Sequence, residues 1–198
     1  MSRAGAITAF HESLGYDGPT WEVSGWGSPE LQRARFDAML RTTNYGGGSV
    51  LDWGCGPADL FFHLSTRHHP FTYRGADTDE RMVTLARHRG APGIDLLPFG
   101  EPPAGPADYV FLSGVFQFPD PDDPLYYLSI LEQAYDISGT AVAATFLSAR
   151  RPDDHRAPDE LYADPAVLAR FAAVLTSRWT IDHAYHPDGA DFTIALFR

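Results

Sequence analysis

The run VLDWGCGPADL, residues 50–60, constrains this chain more than any other segment. A short apolar strand ends at Asp52, and Gly54 and Gly56 then permit a tight turn with backbone pressed against a ligand. A helix starting directly afterwards turns its free N–H groups and the positive end of its dipole toward that ligand. A dinucleotide fingerprint wants a third glycine where Asp59 stands, and a carboxylate there would face a pyrophosphate badly. Acidic side chains beside the loop instead suit a ligand without phosphates, one with an ammonium and ribose hydroxyls. Asp77, at the end of the next strand in TYRGADTDERM, is placed to hold both hydroxyls of a ribose. Thr78 or Asp79 is better placed to cap the helix that follows.

Beyond the loop, strands and helices alternate. Strands are expected at 49–53, 71–76, 94–97, 108–113 and 140–147, with helices at 28–42, 58–66, 79–89 and 124–134. Ser28 and Pro29 start the first of these helices as N-cap and first-turn proline. Such alternation predicts an α/β fold, a doubly wound and mostly parallel sheet with helices on both faces. The tail differs. Asp164 and Pro165 cap a helix striped with Val167, Leu168, Phe171, Val174 and Leu175. Two alternating strands, 179–185 and 191–197, then meet at His186-Pro187-Asp188-Gly189, an antiparallel hairpin. Residues 1–27 show no clear periodicity and are read as an N-terminal segment without assigned structure. Residues 28–198 are expected to form a single domain.

Composition narrows the chemistry. The net charge of −11 has the wrong sign for a protein that tracks nucleic-acid phosphates. All 15 basic residues are arginine, so Schiff-base chemistry and a P-loop lysine are excluded. Cys55 is the single cysteine, which rules out a disulfide framework and a multi-cysteine zinc site. His183 and His186 have an HxxH spacing, but on a strand it points them to opposite faces, so no metal site is expected. No stretch approaches the roughly 20 apolar residues of a membrane span. The first 18 residues lack a basic-then-apolar signal pattern, and a cytoplasmic location is expected.

The segments VLDWGCGPADL, YRGADTDERMVTLAR and DYVFLSGVFQF, in that order, resemble the class I S-adenosylmethionine (SAM)-dependent methyltransferases. GWGSPELQRARF, FLSGVF and the ending HAYHPDGADFTIALFR look like a group of small bacterial methyltransferases without a lid domain. The resemblance covers about residues 24–198. It implies a seven-stranded sheet whose last strand runs antiparallel, with SAM across the carboxyl ends of strands one, two and four. It also implies that Gly54 and Gly56 approach the methionine part and that Asp52 orients the ammonium through water. Asp77 takes the ribose, Thr78 beside it is a further cofactor-binding candidate, and Glu101 contacts the adenine amino group. Ala58 stands where the family usually has its third glycine. Gln32 and Arg35 share a helix face, from which Arg35 could pair with the SAM carboxylate.

On the acceptor side, Ser113 to Gln117 follow the fourth strand, and Gln117 could orient an acceptor by a hydrogen bond. His183, with Tyr185 on the same strand face, is a candidate general base. The polar segment 148–156 is expected at the acceptor entrance. The expected function is methyl transfer to a small-molecule acceptor by direct displacement, in which proximity and alignment supply most of the catalysis. Two alternatives stay open: attack on the aminobutyrate chain of SAM with release of methylthioadenosine, and a non-catalytic SAM- or partner-binding module. Oligomeric state is not legible.

Overall fold

The computed structural model describes residues 2–15, 17–186 and 188–198, so Pro187 of the expected hairpin turn lies outside the described residues. Helices α1 (Arg3–Leu14), α2 (Thr20–Val23) and α3 (Pro29–Thr42) precede the first strand. The central alternation is β1 (Gly48–Trp53), α4 (Asp59–Ser65), β2 (Phe71–Asp77), α5 (Glu80–His88), β3 (Ile94–Leu96) and β4 (Ala107–Leu112). It continues through α6 (Tyr126–Ile137), β5 (Ser138–Leu147), α7 (Pro165–Leu175), β6 (Trp179–Asp182) and β7 (Asp191–Phe197). The strands form one seven-stranded sheet in the order β3-β2-β1-β4-β5-β7-β6, parallel except for β7, which runs antiparallel to both β5 and β6.

Local chemistry explains where the helices start. Ser28 Oγ accepts the Leu31 N–H at 3.2 Å with Pro29 in the first turn, and Asp164 Oδ1 accepts the Ala166 N–H at 2.9 Å ahead of Pro165. Asp79 caps α5 through the Arg81 N–H at 2.9 Å. Because strand side chains alternate, β1 sends Val50 to one layer and Leu51 to the other. Val50, Tyr73 and Phe111 pack with Phe36 and Met39 of α3 and with Leu60 and Leu64 of α4. On the opposite face Leu51, Val110, Phe146 and Phe192 pack under Tyr127 and Leu131 of α6 and Leu168 of α7. The sheet is thus covered on both sides, as a parallel sheet requires.

Two expectations need correction. The first 27 residues do have structure: Ser2 Oγ accepts the Gly5 N–H at 3.3 Å and opens α1, which is followed by α2. The strand expected at 179–185 stops at Asp182, because Asp182 Oδ1 accepts the Ala184 N–H at 3.0 Å and turns the chain. His183 to His186 therefore lie outside the strand, and alternation does not extend to His183 and Tyr185. Among the described residues no helix is long and apolar enough to cross a membrane.

Candidate functional site

A cavity of about 500 Å³ opens at the carboxyl ends of β1, β2 and β4. The strand order reverses there, since β1 leads to β2 and β3 on one side and to β4 and β5 on the other. This is the crevice in which open α/β sheets bind ligands, and its size suits a small organic molecule.

The glycine turn forms its floor. Gly54 (φ +81°) and Gly56 (φ +51°) both sit in the left-handed region that glycine enters without cost. Their surroundings differ. A Cβ at Gly54 would lie 2.6 Å from Val115 Cγ2, so this glycine lets the turn close against the β4–α6 loop. At Gly56 the nearest atom outside the turn would be Ser24 Oγ at 3.8 Å, an ordinary contact, so a Cβ there would collide with nothing. Ala58 also adopts φ +62°, at the start of α4, at a cost of roughly 1–2 kcal/mol for a residue with a Cβ. It is fully buried and does not line the cavity, so it shapes the loop from behind.

Three carboxylates surround this turn. Asp77 Oδ2 accepts the Gly56 N–H at 2.7 Å and its Oδ1 accepts the Asp79 N–H at 2.9 Å. Burial raises its pKa and these two backbone bonds work against the rise, burial having the larger effect. Asp52 is buried and accepts the Tyr73 hydroxyl at 2.7 Å. Loss of hydration, opposed by that hydroxyl and reinforced by Asp77 and Asp59, pushes its pKa up to about 7. Asp59, read from sequence only as an obstacle to pyrophosphate, ties α2, α3 and α4 to the residue that follows α5. It accepts Thr20 Oγ1 at 2.8 Å and Gln32 Nε2 at 2.9 Å, and pairs with Arg89 Nη1 at 2.8 Å.

The N-terminal helices wall the cavity. Arg3, Ile7 and His11, spaced four apart, present one face of α1 to it. His11 Nδ1 lies 3.0 Å from Asp79 Oδ2, while the Arg3 guanidinium stacks 3.7 Å from the Tyr126 ring centre. Burial raises the pKa of Asp79, but bonds from His11 and Arg81 outweigh it and hold the group well below the usual carboxylate range. Trp26 follows α2 and closes over Gly114.

Of the residues anticipated from sequence, the cavity brings together Gln32, Arg35, Asp52, Gly54, Gly56, Asp77, Thr78, Glu101, Ser113 and Gln117. The Gln32 amide is engaged by Asp59, and the Arg35 guanidinium pairs with Asp191 while lying 4.5 Å from the Trp26 ring centre. Ser113 Oγ is buried without a hydrogen-bond partner. His183 and Tyr185 are not brought in. His183 Nε2 lies 3.0 Å from the Gly189 carbonyl oxygen, its ring packs edge-on against Phe192, and the Tyr185 hydroxyl is buried. Sequence reading missed Asp191, Trp26 and Glu160. Asp191 opens the last strand, where a lone carboxylate gives no signal. Glu160 reaches the cavity from the segment between β5 and α7 and bonds Gln117 Nε2 at 3.0 Å.

Neither a protein-family profile nor a curated protein sequence matches the chain. Solved structures do. The DhpI–SAH complex is 17% identical with a TM-score of 0.69, over 100% of this chain and 97% of that one. Magnesium protoporphyrin IX methyltransferase (ChlM) from Synechocystis PCC 6803 with bound SAM is 13% identical, with a TM-score of 0.63 over 99% and 92%. The plantazolicin methyltransferase BpumL, with a triazolic desmethylPZN analog and SAH, is 12% identical, with a TM-score of 0.62 over 98% and 90%. The chain therefore has the Rossmann-like fold of these class I methyltransferases.

Proposed function

We propose that the chain is a SAM-dependent methyltransferase acting on a small-molecule acceptor by direct displacement. The observation that carries this reading is the union, in one cavity, of a glycine turn open at Gly56 with a strand-end carboxylate, Asp77. The cavity's charge fits the cofactor. Seven carboxylates line it against three arginines, and of the latter Arg35 is paired with Asp191 and Arg3 is stacked on Tyr126. Such a lining favours a ligand that carries a sulfonium and an ammonium over a phosphate-bearing nucleotide.

In this reading Asp77 takes the ribose hydroxyls with the lone pairs that Gly56 and Asp79 leave free, and Thr78 stands beside it. Asp52 faces the ammonium, Glu101 the adenine amino group, and Arg35 the carboxylate. Gly54 and Gly56 let backbone approach the methionine portion, with Gln32 holding Asp59 at the cavity wall and Ala58 supporting the turn from behind. Ser113 and Gln117 face the transfer point after β4. Bound SAM supplies a methyl group on a sulfur that is already an excellent leaving group. The protein's share is to hold the acceptor in line and exclude water, which needs no fixed base when the acceptor is a good nucleophile.

Incubation of the chain with SAM and small acceptors, followed by mass spectrometry of the nucleoside, tests the reading. S-adenosylhomocysteine is the expected product. Methylthioadenosine would replace methyl transfer by chemistry on the aminobutyrate chain, and absence of SAM binding in calorimetry would overturn the reading altogether.

A further inference from the structure

At the β5–β7 end of the cavity the polar side chains are locked to one another. Glu160 Oε1 accepts the Gln117 amide Nε2–H at 3.0 Å, and its other oxygen accepts the Tyr162 hydroxyl. The Tyr162 oxygen in turn accepts the Ala157 backbone N–H at 2.9 Å. An ionised carboxylate only accepts hydrogen bonds, so this chain of contacts has one direction. It fixes which end of the Gln117 amide meets Glu160: the NH₂ group is spent there, and the carbonyl oxygen is left for the cavity. The Gln117 backbone cannot move away either, because its carbonyl accepts the Leu161 N–H at 2.7 Å.

The same cavity has flat apolar side chains in its lining. Phe116 stacks on Phe146 with ring centres 4.6 Å apart, and both line the cavity with Trp26. The excess of carboxylates in the lining adds a second condition, since it disfavours an acceptor that is itself an anion.

Resting on the methyltransferase reading for the cavity's use, we propose that Glu160 is a positioning residue that holds the Gln117 carbonyl toward the acceptor. The site thereby selects an uncharged, flat molecule whose hydroxyl or amino hydrogen donates to that oxygen. Neither an ionised carboxylate nor a thioether has a hydrogen to give to that oxygen.

The test titrates phenol, aniline, benzoate and thioanisole, which share one ring, into the full chain saturated with S-adenosylhomocysteine, followed by ligand-observed NMR. Phenol and aniline should bind at least about tenfold more tightly than the other two, the effect of one hydrogen bond gained or left unpaired. In Glu160→Gln the partner amide can donate as well as accept, so Gln117 is free to turn over. The phenol-to-benzoate ratio should then fall to about twofold while the S-adenosylhomocysteine affinity stays put, a pattern that a general loss of structure does not produce. Gln117→Leu should erase the preference for phenol over thioanisole. Equal binding of benzoate or thioanisole to the unaltered chain overturns the proposal. So does failure of phenol to bind, or an unchanged ratio in Glu160→Gln. If S-adenosylhomocysteine itself does not bind, the methyltransferase reading falls, and the same ratios measured on the chain alone still decide this proposal.

Discussion

At the β1–β2 end of the cavity Asp77 is held by two backbone N–H groups, whereas at the β5–β7 end Glu160 is held by two side chains, Gln117 and Tyr162. Backbone donors survive any substitution except one by proline, so the first arrangement is fixed by the fold. Side-chain donors disappear with a single codon, so the second can be retuned while the sheet stays as it is. A scaffold built this way keeps one ligand constant and lets the other vary, which matches the proposed division between cofactor and acceptor.

The strongest way to break this comparison is at Gly56. Gly56→Val puts a branched side chain into open cavity at a positive φ, and SAM binding should fall by at least about 4 kcal/mol, a thousandfold, in calorimetry. Far-ultraviolet circular dichroism should stay close to the parent's, because beyond the neighbouring residues the nearest atom to the new Cβ is Ser24 Oγ at 3.8 Å. Normal SAM binding by this variant would move the cofactor away from the turn. Gly54 offers no such clean test, since a Cβ there collides with Val115.

Asp77→Ala comes next. Loss of charged hydrogen bonds to the ribose should weaken SAM by about 1.5–3 kcal/mol. The structure adds a second effect, because the variant also leaves the Gly56 and Asp79 N–H groups without their acceptor. The melting temperature should therefore drop as well, and affinity must be compared at a temperature where both proteins are folded. Unchanged affinity in the folded variant would remove the ribose assignment.

Asp52 sharpens the comparison through pH. Its folded-state pKa of about 7 stands above the ordinary 3.8, so the native state holds its proton more tightly than the unfolded chain. Its contribution to stability is therefore complete at low pH and declines as pH rises from 3.8 toward 7. Ligand binding runs the other way, because an ammonium favours the ionised carboxylate. SAM affinity should rise about tenfold from pH 6 to pH 8, and Asp52→Asn should flatten that rise. A profile equally steep in the variant would place the titrating group elsewhere.

The smallest effect is expected at His183. Its imidazole is engaged by Gly189 and Phe192, away from the cavity, so His183→Ala should change methyl-transfer turnover by less than about twofold. A large fall in turnover with intact SAM binding would restore it as a base.

The pattern of legibility follows the same division. The β1–α4 turn and Asp77 can be read because strand end, glycines and helix start are neighbours in sequence, and each dictates the next locally. Glu160 cannot, since its meaning comes from a glutamine 43 positions away. Helix α1 escapes periodicity analysis for a physical reason: the face it turns to the cavity carries Arg3 and His11 beside Ile7, so the inner side is not apolar. Its local signals are the caps alone, Ser2 at the start and Gly15 (φ +70°) at the end. The over-long strand at 179–185 shows the converse, because alternation continued in the letters past the point where Asp182 captures the Ala184 N–H.

The position of β7 sets the order in which the molecule can be completed. This strand is made after every other one, yet it lies inside the sheet, between β5 and β6, with Asp191 as its first residue. Until it is inserted, β5 keeps a bare edge along Ala141 to Leu147, and Arg35 on α3 waits for a carboxylate more than 150 residues downstream. An emerging chain can therefore assemble the β1–β2 end early from consecutive units, while the β5–β7 end closes only in the last step. Truncations at the carboxyl terminus should accordingly yield chains with an aggregation-prone strand edge, rather than ones that merely lack part of a binding wall.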